Sequence, residues 1–89
     1  SVAEPPRMIG MGRWRVGGDV SVHDWAEAFG QELVTPGVAT MGGLILQRLG
    51  RLPVAGDAID LGNVRIEVEA VEHNRVASAI VILLPEDEP

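Results

Sequence analysis

The chain contains no cysteine. Disulfides, thiolate metal sites and cysteine nucleophiles are thereby excluded. Lysine is missing too, so all 7 basic residues are arginine, set against 13 acidic ones for a formal net charge of -6. Phosphate backbones and anionic membrane surfaces attract an excess of positive charge, so neither nucleic acid nor direct membrane insertion is expected. No apolar run approaches the roughly 18 residues that a membrane-spanning helix needs, and no secretory pattern opens the chain. The longest apolar run, Ala79 to Leu84, has the length of a strand. No glycine-rich loop ending in Lys and Ser or Thr is present, which excludes a P-loop. The chain opens on Ser1, and its 89 residues read as a domain cut from a longer protein.

A chain of this length forms one domain and buries only about 60–65% of the surface that its unfolded form exposes. Its margin is thin, so pairing with a partner or a second copy would help. Residues 1–13, with Pro5-Pro6, read as a linker or flexible N-terminal segment. Residues 14–84 are the domain. Residues 85–89, carrying Glu86, Asp87 and Glu88, read as a solvated acidic tail.

The densest stretch is Thr40 to Asp57, which holds a helix start, an apolar helix, a stop and a turn. Thr40 is a plausible N-cap, and Met41, Leu44, Ile45 and Leu49 form the apolar stripe. Gly42 and Gly43 each cost about 1 kcal/mol relative to Ala in a helix. That cost implies close approach, either by a neighbouring strand or by a ligand at the helix-start amides. Gly50 fits the C′ position, and Pro53 prevents continuation. An earlier short helix follows Ser21 and Asp24, with Val22, Trp25, Ala26 and Phe29 on one face and Gly30 at its end.

Strand patterns flank the helices. Trp14 and Val16 alternate with Arg13 and Arg15 before the Gly17-Gly18-Asp19 turn. Ala58 to Leu61 is a short strand closed by Gly62-Asn63. Val64, Ile66, Val68 and Ala70 alternate with Arg65, Glu67 and Glu69, giving one core face and one wet face. The last strand, Arg75 to Leu84, is apolar on nearly every residue from Ala77 onward, so both of its faces call for cover. The expected fold is α+β, a hairpin-like start followed by a three-strand antiparallel meander with two short helices on one face. Two helices cover one face of the last strand. A second copy could cover the other, with Val81, Ile80, Ile82 and Leu84 as interface candidates.

Candidate chemistry is sparse. His23 beside Asp24 and His73 beside Glu72 could bind a metal or carry a proton, but no third ligand stands at a recognisable spacing and a surface role is the default. Ser21, His23 and Asp24 hold the letters of a triad, yet neighbours on one helix turn point different ways, and capping accounts for Ser21 and Asp24. Asp57 and Asp60 could hold a hard cation through oxygen ligands, or serve in turns. The amides of Thr40, Gly42 and Gly43 complete the candidate ligand set. Trp14 and Trp25 read as core anchors.

Trp14 to Gly18, Val22 to Phe29, Thr40-Met41-Gly42-Gly43-Leu44, Leu49-Gly50-Arg51-Leu52-Pro53, Gly56-Asp57, Arg65-Ile66-Glu67-Val68 and Arg75-Val76 follow one another in a distinctive order. That order resembles the transporter-associated domain of the CorC/HlyC type, the C-terminal module of magnesium and cobalt efflux and haemolysin-like membrane proteins. The resemblance spans about Trp14 to Leu84. It implies a non-catalytic regulatory domain on the cytoplasmic face of the bacterial inner membrane. Its neighbours would be a membrane region and a pair of CBS nucleotide-binding modules, and a homodimer is one mode of association. A divalent-cation or small-ligand sensor is the alternative. The implied fold is similar to part of a flavin-binding oxidoreductase domain, but no flavin or adenine-nucleotide motif maps onto this chain, and no cofactor is expected. One departure stands out: the loop before the second helix, usually acidic in the family, is the uncharged Val34 to Ala39.

Overall fold

The computed structural model describes residues 3–31 and 37–85. Residues 34–36 of the 34–39 loop and residues 86–89 of the acidic tail lie outside the described residues.

Two helices are delimited by the residues at their ends. Helix α1 covers Val22–Phe29, with the Ser21 side chain accepting from the Asp24 amide at 3.0 Å and Gly30 closing it in the left-handed region at φ 64°. Helix α2 covers Met41–Leu49, with Thr40 Oγ1 accepting from the Gly43 amide at 3.2 Å and Gly50 closing it at φ 70°. Each cap satisfies a backbone group that a helix end otherwise leaves without a partner.

Five strands complete the fold: β1 Arg7–Gly10, β2 Arg13–Gly17, β3 Ala58–Leu61, β4 Val64–Glu72 and β5 Arg75–Leu83. They form one sheet in the order β1-β2-β5-β4-β3, every neighbouring pair antiparallel. The meander of β3, β4 and β5 is as expected. Two further features correct the sequence reading. Strand β2 does not stop at a local hairpin but pairs with β5, placing the last strand at the centre of the sheet. Residues 7–10, assigned above to a leading linker, form an edge strand on β2 across the Met11-Gly12 turn. All four β1 residues are exposed, so backbone pairing makes this strand and no apolar period marks it.

Both helices lie on one face of the sheet. Val64, Ile66 and Val68 of β4 and Ala79 and Val81 of β5 point toward Trp25, Met41, Leu44 and Ile45. Trp25, Leu44, Ile45 and Val81 are fully buried. Trp14 instead sits half-buried at the rim, its ring edge-on to Phe29 with centroids 5.3 Å apart. Trp25 is thus the core anchor expected of it, and Trp14 is a rim residue.

The glycine pair was expected to mark a close approach, and half of it does. The Gly42 amide donates to the Gly18 carbonyl at 2.9 Å, and a Cβ on Gly42 would stand 3.1 Å from that oxygen. A Cβ on Gly43 would meet nothing nearer than 3.4 Å, an ordinary contact with the capping oxygen of Thr40. Gly43→Ala should therefore be neutral or stabilising by up to about 1 kcal/mol, because only the helix-propensity difference remains. Thermal denaturation checks this; a large loss of stability would show that Gly43, too, is closely packed.

Candidate interaction surface

Among the described residues nothing covers the face of the sheet away from the helices. Pairing register defines its rows. One row runs Arg7, Arg15, Ile80, Glu67 and Ala58 across the five strands. The next runs Arg13, Ile82, Arg65 and Asp60. Ile80 and Ile82 are half-buried, flanked on both sides by residues with long side chains. Arginine stems can cover apolar surface while the guanidinium stays wet. Of the four interface candidates, Ile80 and Ile82 do face outward. Val81 does not: residues alternate along a strand, so Val81 points under the helices and is fully buried. Leu84 lies just past β5, its amide donating to the Asn63 carbonyl at 2.8 Å.

Charges on the open face are organised by three side chains. Arg15 of β2 reaches across β5 and forks onto Glu69 of β4, at 2.9 Å from Nε and 2.8 Å from Nη2. Ser78 also donates to Glu69, at 2.8 Å. Hydrogen bonding from Arg15, then from Ser78, holds the Glu69 carboxyl below the usual carboxylate range. On the outer side, Arg65 Nε donates to Asp60 at 2.9 Å and lowers its pKa in the same way.

Asp57 belongs to a different device, the turn between α2 and β3. Arg51 forks onto both of its oxygens at 2.9 and 2.7 Å, and the Val54 amide donates to Oδ2 at 2.8 Å. The Arg51 hydrogen bonds, followed by that of Val54, depress its pKa. The Leu-Gly-Arg-Leu-Pro stop and the Gly-Asp turn are thus two ends of one clasp. Gly56 and Asp57 then bond to Val68 of β4, joining the clasp to the sheet. Asp57 and Asp60 were candidate cation ligands. In the structure each carboxylate is held by its own arginine, and Asp57 also accepts from the Val54 amide within the turn.

The helix-start amides are also in use. Met41, Gly42, Gly43 and Leu44 donate to Val20 O, Gly18 O, Thr40 Oγ1 and Thr40 O respectively. A cleft of about 340 Å³ lies beside them, with Asp19, Arg75 and Leu46 in its walls. No amide from 41 to 44 is left to aim at an anion in it. Gly42 therefore serves the close strand approach, and the amides of residues 41–44 are all engaged within the chain.

The histidines stay apart. His73 sits with Asn74 in the β4–β5 turn, both at positive φ. His23 lies exposed on α1, 3.8 Å from Glu27. With Asp24 these two form a group whose ligand atoms lie within 4.8 Å of one another, all of them exposed. Sequence reasoning paired His23 with Asp24 and passed over Glu27, although the i, i+4 spacing marks it. A further surface lies at the β1 edge, where Met8, Ile9, Met11 and Leu83 are exposed. The signal for it was the M-I-G-M run that the linker reading passed over.

Comparison with known proteins places this geometry. The transporter associated domain family, CorC_HlyC, matches residues 7–85, nearly the whole chain and β1 included. The chain belongs to this family. The magnesium and cobalt efflux protein CorC of Escherichia coli K12 is 31% identical over 83 residues, covering 93% of the chain and 28% of CorC. This domain thus spans little more than a quarter of the length of the curated relatives it matches. Among solved structures, the CorC-associated region from Neisseria meningitidis MC58 superposes with a TM-score of 0.85 at 26% identity, covering 91% of this chain and all of that one. A haemolysin domain from Enterococcus faecalis V583 also reaches a TM-score of 0.85, at 23% identity and 92% and 100% coverage. The α+β fold is that of the transporter associated domain, and the efflux-protein relatives carry it within longer chains. Among the described residues no helix is long and apolar enough to cross a membrane.

Proposed function

We propose that this domain is a non-catalytic regulatory module of a magnesium/cobalt efflux or haemolysin-like membrane protein. It modulates ion transport from the cytoplasmic face by packing its open sheet face against a second copy of itself. Contacts with a membrane region and with CBS modules of the same protein complete its setting. The observation that carries the reading is the pair Ile80 and Ile82 at the centre of a sheet face over which, among the described residues, no helix lies. An apolar centre ringed by charge is the anatomy of a protein interface. The alternative of a cation or small-ligand sensor finds Asp57 and Asp60 held by arginine and the α2 amides engaged by Gly18, Val20 and Thr40.

Light scattering tests the self-association. The average mass should rise with concentration toward that of a dimer. Ile80→Glu and Ile82→Glu should each keep it at one chain while changing stability by less than about 1 kcal/mol, because both positions are half-buried. A wild-type chain that stays monomeric at millimolar concentration, with both glutamate variants indistinguishable from it, would refute the pairing.

A further inference from the structure

Strand β1 ends the sheet on one side, and its outer edge carries backbone N–H and C=O groups that pair with no other strand among the described residues. Two cations stand at that edge, on the face away from the helices. Arg7 lies opposite Arg15 in the β1–β2 register, and Arg15 is the residue that forks onto Glu69 on this face. Arg13 belongs to β2, and its partner on β1 is Gly10. A Cβ on Gly10 would stand 3.9 Å from Arg13 Cδ, so the Arg13 stem runs alongside Gly10, which puts no side chain between it and the edge. Among the described residues neither Arg7 nor Arg13 pairs with a carboxylate, whereas Arg15, Arg51 and Arg65 each do.

The helix side of the same edge is apolar. Met8 lies opposite Trp14, whose ring meets Phe29 of α1, so Met8 points to the helix side, where it is exposed. Beside it a cleft of about 540 Å³ is walled by Pro6, Trp14, Phe29 and Leu83. Spacing then specifies what fits. The β1–β2 register skips Ile9, so Arg7 and Gly10 fall two pairing steps apart with Met8 between them. A strand laid on this edge turns successive side chains to opposite faces. Acidic residues at positions i and i+2 meet Arg7 and Arg13, and an apolar residue at i+1 covers Met8 and the mouth of the cleft. We propose that the β1 edge binds, by strand addition, an extended segment of a partner protein that alternates acidic and apolar residues.

The chain's own edge strands do not supply this segment. Pairing with β1 of a second copy brings Arg7 and no carboxylate to the two arginines. The opposite edge strand, β3, has one carboxylate, Asp60, and Arg65 holds it. The site is thus separate from the sheet-face contact proposed above and does not rest on it. Pro5 and Pro6 end the edge just before Arg7, and the strand is 4 residues long, which keeps the pairing short. A free peptide therefore binds weakly, and a partner held nearby in a larger assembly gains from its effective concentration.

Titration of short synthetic peptides into the isotope-labelled domain, followed by NMR, tests this. A peptide alternating glutamate with leucine, at millimolar concentration, should shift the amides of Arg7 to Gly10 and the indole N–H of Trp14. The same peptide with lysine for glutamate should bind at least about tenfold more weakly, because two exposed ion pairs become two repulsions. A peptide of the same glutamate and leucine content, with the two grouped in blocks, should lose binding to a similar extent. Carrying Arg7→Glu and Arg13→Glu together should reverse the order, so that the lysine peptide binds better. Both positions are exposed, and a melting curve confirms that the variant folds. Equal shifts from the glutamate, lysine and block peptides would reduce the site to an apolar contact and overturn the proposal. So would the absence of any shift at residues 7–10. Shifts at those residues that grow with domain concentration, without peptide, would give the edge to a second copy and overturn it too.

Discussion

Gly18→Ala should cost about 3 kcal/mol and lower the melting temperature by more than about 10 °C. A Cβ at this position would stand 1.8 Å from the Val76 carbonyl oxygen and 2.9 Å from its carbon. Those atoms are backbone of the central strand and cannot swing aside. Gly18 is also the point where three elements meet. Its amide donates to Ala77 O at 3.0 Å on β5, and its carbonyl accepts from Gly42 at the start of α2. Moving the chain to admit one methyl would break both bonds and pull the helix start from the sheet. Differential scanning calorimetry reads the effect, with Gly43→Ala as the control in which the same added methyl meets open packing. A Gly18→Ala protein that melts like the wild type would show that the β2 end can shift without loss.

Trp25→Ala should destabilise by about 3–5 kcal/mol, the range for removing a large aromatic side chain from a packed core. Trp25 is fully buried and packs on Phe29 with ring centroids 5.3 Å apart. Among the described residues its buried indole N–H finds no hydrogen-bond partner. An unmet buried donor is a cost that the ring's packing must exceed. Trp25→Phe keeps much of the ring and deletes the donor, so its loss should be far smaller than that of the alanine variant. For a domain of 89 residues, whose total stability at about 0.05–0.15 kcal/mol per residue is on the order of 5–13 kcal/mol, the alanine variant stands near unfolding. Urea titration separates the two. Equal losses for Phe and Ala would show that the indole nitrogen matters more than the ring.

The parts of this fold that local chemistry dictates could be read from the residues alone. Ser21 with Gly30, and Thr40 with Gly50, bracket the two helices because a cap needs only its own neighbours. The alternation of β4 shows because one face of that strand is in the core and the other in water. What depends on distant partners could not be read. Strand β1 has no buried face, so nothing in Arg7–Gly10 distinguishes it from a linker until β2 pairs with it. The close approach was placed on both Gly42 and Gly43; it belongs to Gly42 and, above all, to Gly18, which lies on another element. Asp57 was weighed as a cation ligand without its partner, although Arg51 stands only six residues away. Glu69 and Arg15 lie 54 residues apart, and only the central position of β5 brings them together.

That central position has a consequence for how the chain reaches its fold. Strand β2 is made early and β5 last, yet β2 has no other partner toward the middle of the sheet. Neither the β1–β2 hairpin nor the two helices can complete their packing surface until β5 arrives. Nonlocal wiring of this kind folds more slowly than a domain of the same size built from local pairings.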